Sequence, residues 1–194
     1  MTKLVMISGS LRANSTNSAV IRAAARIAGA HADVTEVEVL PLRDIPFYDG
    51  DVEATVIPDT VLRAREIVAS ADAVLISTPA YNGAPSGVLK NALDWLSRPQ
   101  GQASLGGKLA ATMSASPSPF GALDSQQELR RILTRCGATV IETDPLAISN
   151  SIALTAETGE LTDTTVLDKI AALVDVLVAT AVDDKVDERQ DAAA

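Results

Sequence analysis

Along almost the whole chain, short apolar runs alternate with stretches of helical periodicity. Residues 4–8 form the first run, closed by Gly9, the pattern of a strand covered on both faces. Val20, Ile21, Ala24, Ala25, Ile27 and Ala28 then recur at helical spacing, with Arg22 and Arg26 on the other face. Residues 34–40 alternate apolar and acidic, as a more exposed strand does. Pro41, Pro46 and Pro58 break the pattern and predict a long loop over 41–58. A helix over 60–70, a buried strand over 73–78 stopped by Pro79, and a helix over 86–97 follow. Then come a strand over 109–114, a helix over 123–135 stopped by Gly137, and a strand region over 139–142 extended by 146–149. The final helix is expected over 164–181, capped by Thr162 or Asp163.

Strands that alternate with helices must run parallel, with helices on both faces of the sheet. The expected fold is therefore α/β, a parallel sheet of about five strands in three layers. Neither a linker nor a repeat divides the chain, so residues 1–182 are read as one domain. Residues 183–194 are acidic and are read as a solvated, frayed tail.

Composition removes several classes of function. The 194 residues are 47% hydrophobic and 21% charged, enough to bury a core without disulfide or metal. Aromatic residues make up only 3%, so Ala, Val, Leu and Ile must build that core. A net charge of -9 lacks the basic footprint of a nucleic-acid binder, and no polybasic patch marks a membrane surface. No run approaches the length of a membrane span, and no secretion signal is legible. Cys136 is the single cysteine, which excludes an intrachain disulfide and suits a reducing, cytoplasmic setting. His31 is the single histidine, and no metal-ligand spacing occurs.

In parallel sheets of this kind, ligands bind beyond the carboxyl ends of the strands. Three expected carboxyl ends carry unusual chemistry. The first offers Ser10, Arg12, Ser15, Thr16 and Asn17 just before a helix. Amides at a helix start, hydroxyls and a guanidinium together suit a phosphate monoester. The alternative is that these residues only cap the helix. The loop is neither G-x-x-x-x-G-K-[ST] nor G-x-G-x-x-G, which disfavours triphosphate and dinucleotide sites. The second loop is Pro79, Ala80, Tyr81, Asn82 and Gly83, where Tyr81 can lie beside a planar ligand and Asn82 can meet a heterocycle edge. A turn with a surface tyrosine explains it equally well. The third loop, with Ser116, Pro117, Ser118 and Pro119, could close the far side.

Gly9, Ser10, Leu11, Arg12, Ser15 and Asn17, then Pro79, Tyr81 and Asn82, then Gly87, Leu89, Lys90, Asn91, Ala92, Asp94 and Trp95 follow an order and spacing that resembles the NADPH-dependent FMN reductase family. The resemblance spans residues 3–181. It implies a flavodoxin-like fold, FMN as cofactor, NADPH or NADH as electron donor, and a small-molecule acceptor such as free flavin or a quinone. It places Ser10, Arg12, Ser15, Thr16 and Asn17 on the FMN phosphate. Pro79, Ala80, Tyr81, Asn82 and Gly83 would border the isoalloxazine ring, with Ser116 on its other side. No catalytic side chain is required, since the flavin carries the chemistry. Family members are commonly homodimers or homotetramers. Two positions depart from the pattern: Ala80 stands where Glu is common, and Pro117 where Gly is common. An FMN-bound electron carrier and a flavin-free regulatory protein on the same scaffold are the competing expectations.

Overall fold

The computed structural model describes residues 1–156 and 158–191, with side chains described through 186. Its elements are β1 (Thr2–Ser8), α1 (Thr16–Gly29), β2 (Val34–Leu40), α2 (Gly50–Thr55), α3 (Asp59–Ala69), β3 (Ala73–Thr78), α4 (Gly87–Leu96), β4 (Leu109–Ala115), α5 (Leu123–Arg135), β5 (Thr139–Val140), β6 (Leu146–Ile148) and α6 (Thr164–Asp191). A 3-10 turn, Ser151–Leu154, follows β6. The sheet order is β2-β1-β3-β4-β5, all parallel, and β6 joins β4 below the point where β5 leaves it. The expected three-layer α/β fold is what the chain forms, and its fifth position is shared: the single strand region expected over 139–149 is split into β5 and β6, each pairing a different stretch of β4.

The sheet is apolar on both faces, which is why its central strands read as continuous apolar runs. Leu4, Met6, Leu75, Ala111 and Met113 pack toward α1 and α6. Val5, Ile7, Val74, Ile76 and Ala110 pack toward α3, α4 and α5. The two sets alternate along each strand, as the pleat requires.

Two elements differ from expectation. The 41–58 loop contains α2, a helix of 6 residues with none of them buried. Asp49 caps it by accepting from the Asp51 amide at 2.8 Å. With no buried face, α2 leaves no apolar period to read. The final helix continues to Asp191 instead of ending at Ala181, so residues 183–191 of the expected tail are helical. Lys185 gives a physical reason: its Nζ meets Asp72 Oδ2 at 2.6 Å and the Met1 carbonyl at 2.7 Å. Residues 192–194 lie outside the described residues. Asp163 caps the start of this helix, accepting from the Val166 amide at 2.9 Å.

The remaining loop residues are held by α4. Trp95 Nε1 and Asn91 Nδ2 both donate to the Pro46 carbonyl at 2.9 Å. Tyr48 lies edge-on to Trp95, and the Arg65 guanidinium lies over the Trp95 ring. Trp95 is thus an anchor for the proline-rich segment, buried to 1% exposure.

Candidate cofactor site at the carboxyl edge

Register brings the three loops together. Ser8 pairs with Ser77, and Thr78 with Ser114, so β1, β3 and β4 end at one edge. Gly9 turns the chain there at close quarters. A β-carbon on it would lie 3.1 Å from Leu89 Cδ2 and 3.2 Å from Pro79 Cδ. Its amide donates to the Ser77 carbonyl at 2.8 Å, and its carbonyl accepts from the Ser86 hydroxyl.

Ser15 is the N-cap of α1, its hydroxyl accepting from the Ser18 amide at 3.3 Å. The amides of Thr16 and Asn17 find no acceptor among the described residues. They are the free donors of a helix N-terminus, where the peptide dipoles favour an anion. Ser10, Ser15 and Thr16 are buried beside them, and Arg12 is exposed with no ion pair among the described residues. Donors, hydroxyls and one uncommitted cation fit a phosphate monoester.

Asn17 is placed differently from expectation. Its side chain turns inward to Ala115 and Ser77, so only its backbone amide is left among the unpartnered donors of the helix start. Periodicity and motif spacing carry no signal for that orientation.

The second loop is a two-residue hairpin. Tyr81 and Ala84 exchange backbone bonds of 2.9 and 3.3 Å. Asn82 and Gly83 have φ of 54° and 79°, the left-handed pair that a type I′ turn needs. Asn-Gly at this point is therefore turn chemistry first. Tyr81 stands 49% exposed beside it. Pro79 is buried, and its carbonyl accepts from Thr78 Oγ1 at 2.9 Å and Ser125 Oγ at 2.8 Å.

The third loop is laced from within. Ser116 Oγ accepts from the Ser118 amide at 3.1 Å, and Ser118 Oγ from the Phe120 amide at 3.2 Å. The Ser116 amide donates to the Ile148 carbonyl at 3.0 Å, and its carbonyl accepts from the Ser151 amide at 3.1 Å. Ser116 and Ala80 line one cavity of about 480 Å³, with Ser118, Phe120, Leu123 and Asp124 among the other walls. That volume is ordinary for a small-molecule site. Ala80 leaves its wall without the carboxylate that Glu would bring, and Asp124 supplies one from α5 instead.

Several supporting residues carry no sequence signal. Arg43, in the loop after β2, donates from Nη2 to the Leu11 carbonyl at 2.7 Å. Gln126, 1% exposed, donates to the Thr112 carbonyl at 2.7 Å beneath the third loop. Ser114 Oγ donates to the Gly121 carbonyl at 2.7 Å. Among the described residues, no group of three or more His, Cys, Asp or Glu gathers in metal-binding geometry.

Residues 2–153 match the NADPH-dependent FMN reductase family. The chain is 44% identical over 131 residues to an NAD(P)H-dependent FMN reductase of Pseudomonas aeruginosa, covering 68% of this chain and 69% of that one. It is 38% identical over 173 residues to a quinone reductase of Escherichia coli strain K12, covering 87% and 89%. The fold superposes on a flavoenzyme NAD(P)H:(acceptor) oxidoreductase from Paracoccus denitrificans with a TM-score of 0.83 at 31% identity, covering 94% and 98%.

Proposed function

Because the chain belongs to the NADPH-dependent FMN reductase family, we propose that its carboxyl-edge loops hold FMN for a NAD(P)H-dependent oxidoreductase. Ser10, Arg12, Ser15 and Thr16 hold the phosphate, with the amides of Thr16 and Asn17. Pro79, Ala80, Tyr81, Asn82 and Gly83 border the isoalloxazine ring on one side and Ser116 on the other. The observation that carries this assignment is the pair of unpartnered amides at the start of α1, on the same edge as the cavity between Ala80 and Ser116.

When bound, FMN supplies hydride acceptance from NADPH or NADH and delivery of electrons to a small acceptor. The chain's own residues bind and orient. The α1 amides and Arg12 neutralise the phosphate charge. The Tyr81–Ala84 hairpin and the laced Ser116 loop are rigid walls, so a planar group between them keeps one orientation. No side-chain acid or base is required, since the flavin carries the chemistry.

Relatives named quinone reductases support a quinone-like acceptor. A homodimer or homotetramer is the assembly that accompanies this assignment. Phe47 at 86% exposure and Phe120 at 78% support it, as apolar surface that a second copy would cover. A cytoplasmic location is part of the same proposal, supported by the single free cysteine. No helix among the described residues is long and apolar enough to cross a membrane.

The test is a visible spectrum of purified protein titrated with FMN, followed by anaerobic mixing with each nicotinamide. Saturable binding at micromolar FMN and rapid bleaching are expected. Absence of FMN binding overturns the assignment. Binding without bleaching favours an electron carrier instead.

A further inference from the structure

Asn17 stands in the first turn of α1, yet its carboxamide points into the sheet. Nδ2 donates to the Ala115 carbonyl at 2.9 Å, while Oδ1 accepts from the Ala115 amide at 3.1 Å. Oδ1 also accepts from the Ser77 hydroxyl at 2.8 Å, which occupies both of its lone pairs. The residue is 3% exposed. A carboxamide that pairs with both the N–H and the C=O of one residue does what the N–H and C=O of a single residue on an adjacent antiparallel strand would do. It does so at the end of the β3–β4 ladder, whose last pair is Thr78 with Ser114.

Ala115 is the last residue of β4, and the next residue, Ser116, lines the cavity opposite Ala80. The phosphate loop and the ring cavity therefore share one buried side chain. We propose that Asn17 is a positioning residue, whose carboxamide couples the anion-binding start of α1 to the Ser116 wall of the ring cavity. This rests on the FMN assignment above and assigns Asn17 no phosphate contact through its side chain. Removing the carboxamide takes the Asn17 donor away from the buried C=O of Ala115 and frees the third loop to shift. Its loss should therefore weaken FMN and riboflavin alike, whereas a phosphate ligand would matter to FMN only.

The experiment titrates Asn17→Ala, Ser77→Ala and the double variant with FMN and with riboflavin by fluorescence quenching. It also follows hydrogen exchange of the Ala115 amide by NMR, with and without FMN. Asn17→Ala is expected to weaken both flavins about tenfold, their affinity ratio holding within about twofold of wild type. Ser77→Ala, whose hydroxyl bonds Asn17 Oδ1, should shift both in the same direction by less. The double variant should be no weaker than Asn17→Ala, because both act through one contact. FMN should slow Ala115 exchange in wild type and lose that effect in Asn17→Ala. Selective loss of FMN with riboflavin unchanged, or additive effects of the two variants, overturns the coupling. Should Asn17→Ala not fold, Ser77→Ala decides alone: equal weakening with faster Ala115 exchange supports the coupling, and no change in either overturns it. A wild-type protein that binds neither flavin overturns the FMN assignment itself, and the role of Asn17 with it.

Discussion

Arg43 reaches from the loop after β2 to donate 2.7 Å to the carbonyl of Leu11, inside the loop proposed to hold the phosphate. The contact braces a segment that otherwise rests on short side-chain turns at Ser8 and Ser10. Arg43→Ala should weaken FMN about three- to tenfold, the effect of one partly exposed charge-assisted bond. A fluorescence titration checks this, and kcat at saturating FMN should stay near wild type.

Arg12 is exposed just before α1 and makes no ion pair among the described residues. Arg12→Ala should weaken FMN by about tenfold or more while leaving riboflavin affinity unchanged, since only FMN carries the phosphate. The FMN affinity of the variant should also depend less on salt than that of wild type. Paired titrations at two ionic strengths measure both effects. Because Asn17→Ala should shift both flavins equally, the two variants separate phosphate recognition from ring positioning.

Gly121 sits where no side chain fits. Its φ is +60°, and a β-carbon would lie 2.6 Å from the Ala147 carbonyl carbon and 2.8 Å from its oxygen. Gly121→Ala must displace either the third loop or the β6 backbone. A loss of about 2–4 kcal/mol is expected in urea denaturation, with weakened binding of both flavins. A stability within about 0.5 kcal/mol of wild type would show that the loop yields without cost.

Cys136 ends α5 half-buried, with Sγ 3.9 Å from the Leu93 carbonyl. Burial pushes its thiol pKa up, and the negative charge of Asp94 adds to that. The folded state therefore holds the thiol proton more tightly than the unfolded chain does. The resulting stability is fully present below the pH at which a free thiol ionises. It is lost as pH climbs through the raised value. Alkylation at pH 8 should be slower than for the urea-unfolded chain, because the folded thiol is less ionised. Stability in Cys136→Ser should show a weaker decline with pH over the alkaline range.

The elements with a buried face are legible in the sequence. The strand expected over 73–78 is β3, residue for residue, because a strand covered on both faces must be apolar throughout. The amphipathic stripe of α1 is equally plain, from Val20 to Ala28. The α2 helix was hidden because it buries nothing, and the extension of α6 past Ala181 because Lys185 finds Asp72, a residue 113 positions away. Asn82 was a heterocycle contact or a turn residue on equal terms. The hairpin shows its backbone needed for the turn.

The grouping of Ser10, Arg12, Ser15 and Thr16 just before a helix is set by sequence alone, since residues at a helix start are neighbours in the chain. So is the order of strands and helices, because periodicity is local too. The tertiary structure alone decided which way Asn17 faces, that Ala80 and Ser116 share a cavity, and that Arg43 braces Leu11. Each of those joins residues about thirty or more positions apart. Such partners are set by strand register and by which buried polar group lacks a partner, and neither leaves a periodic trace in one sequence.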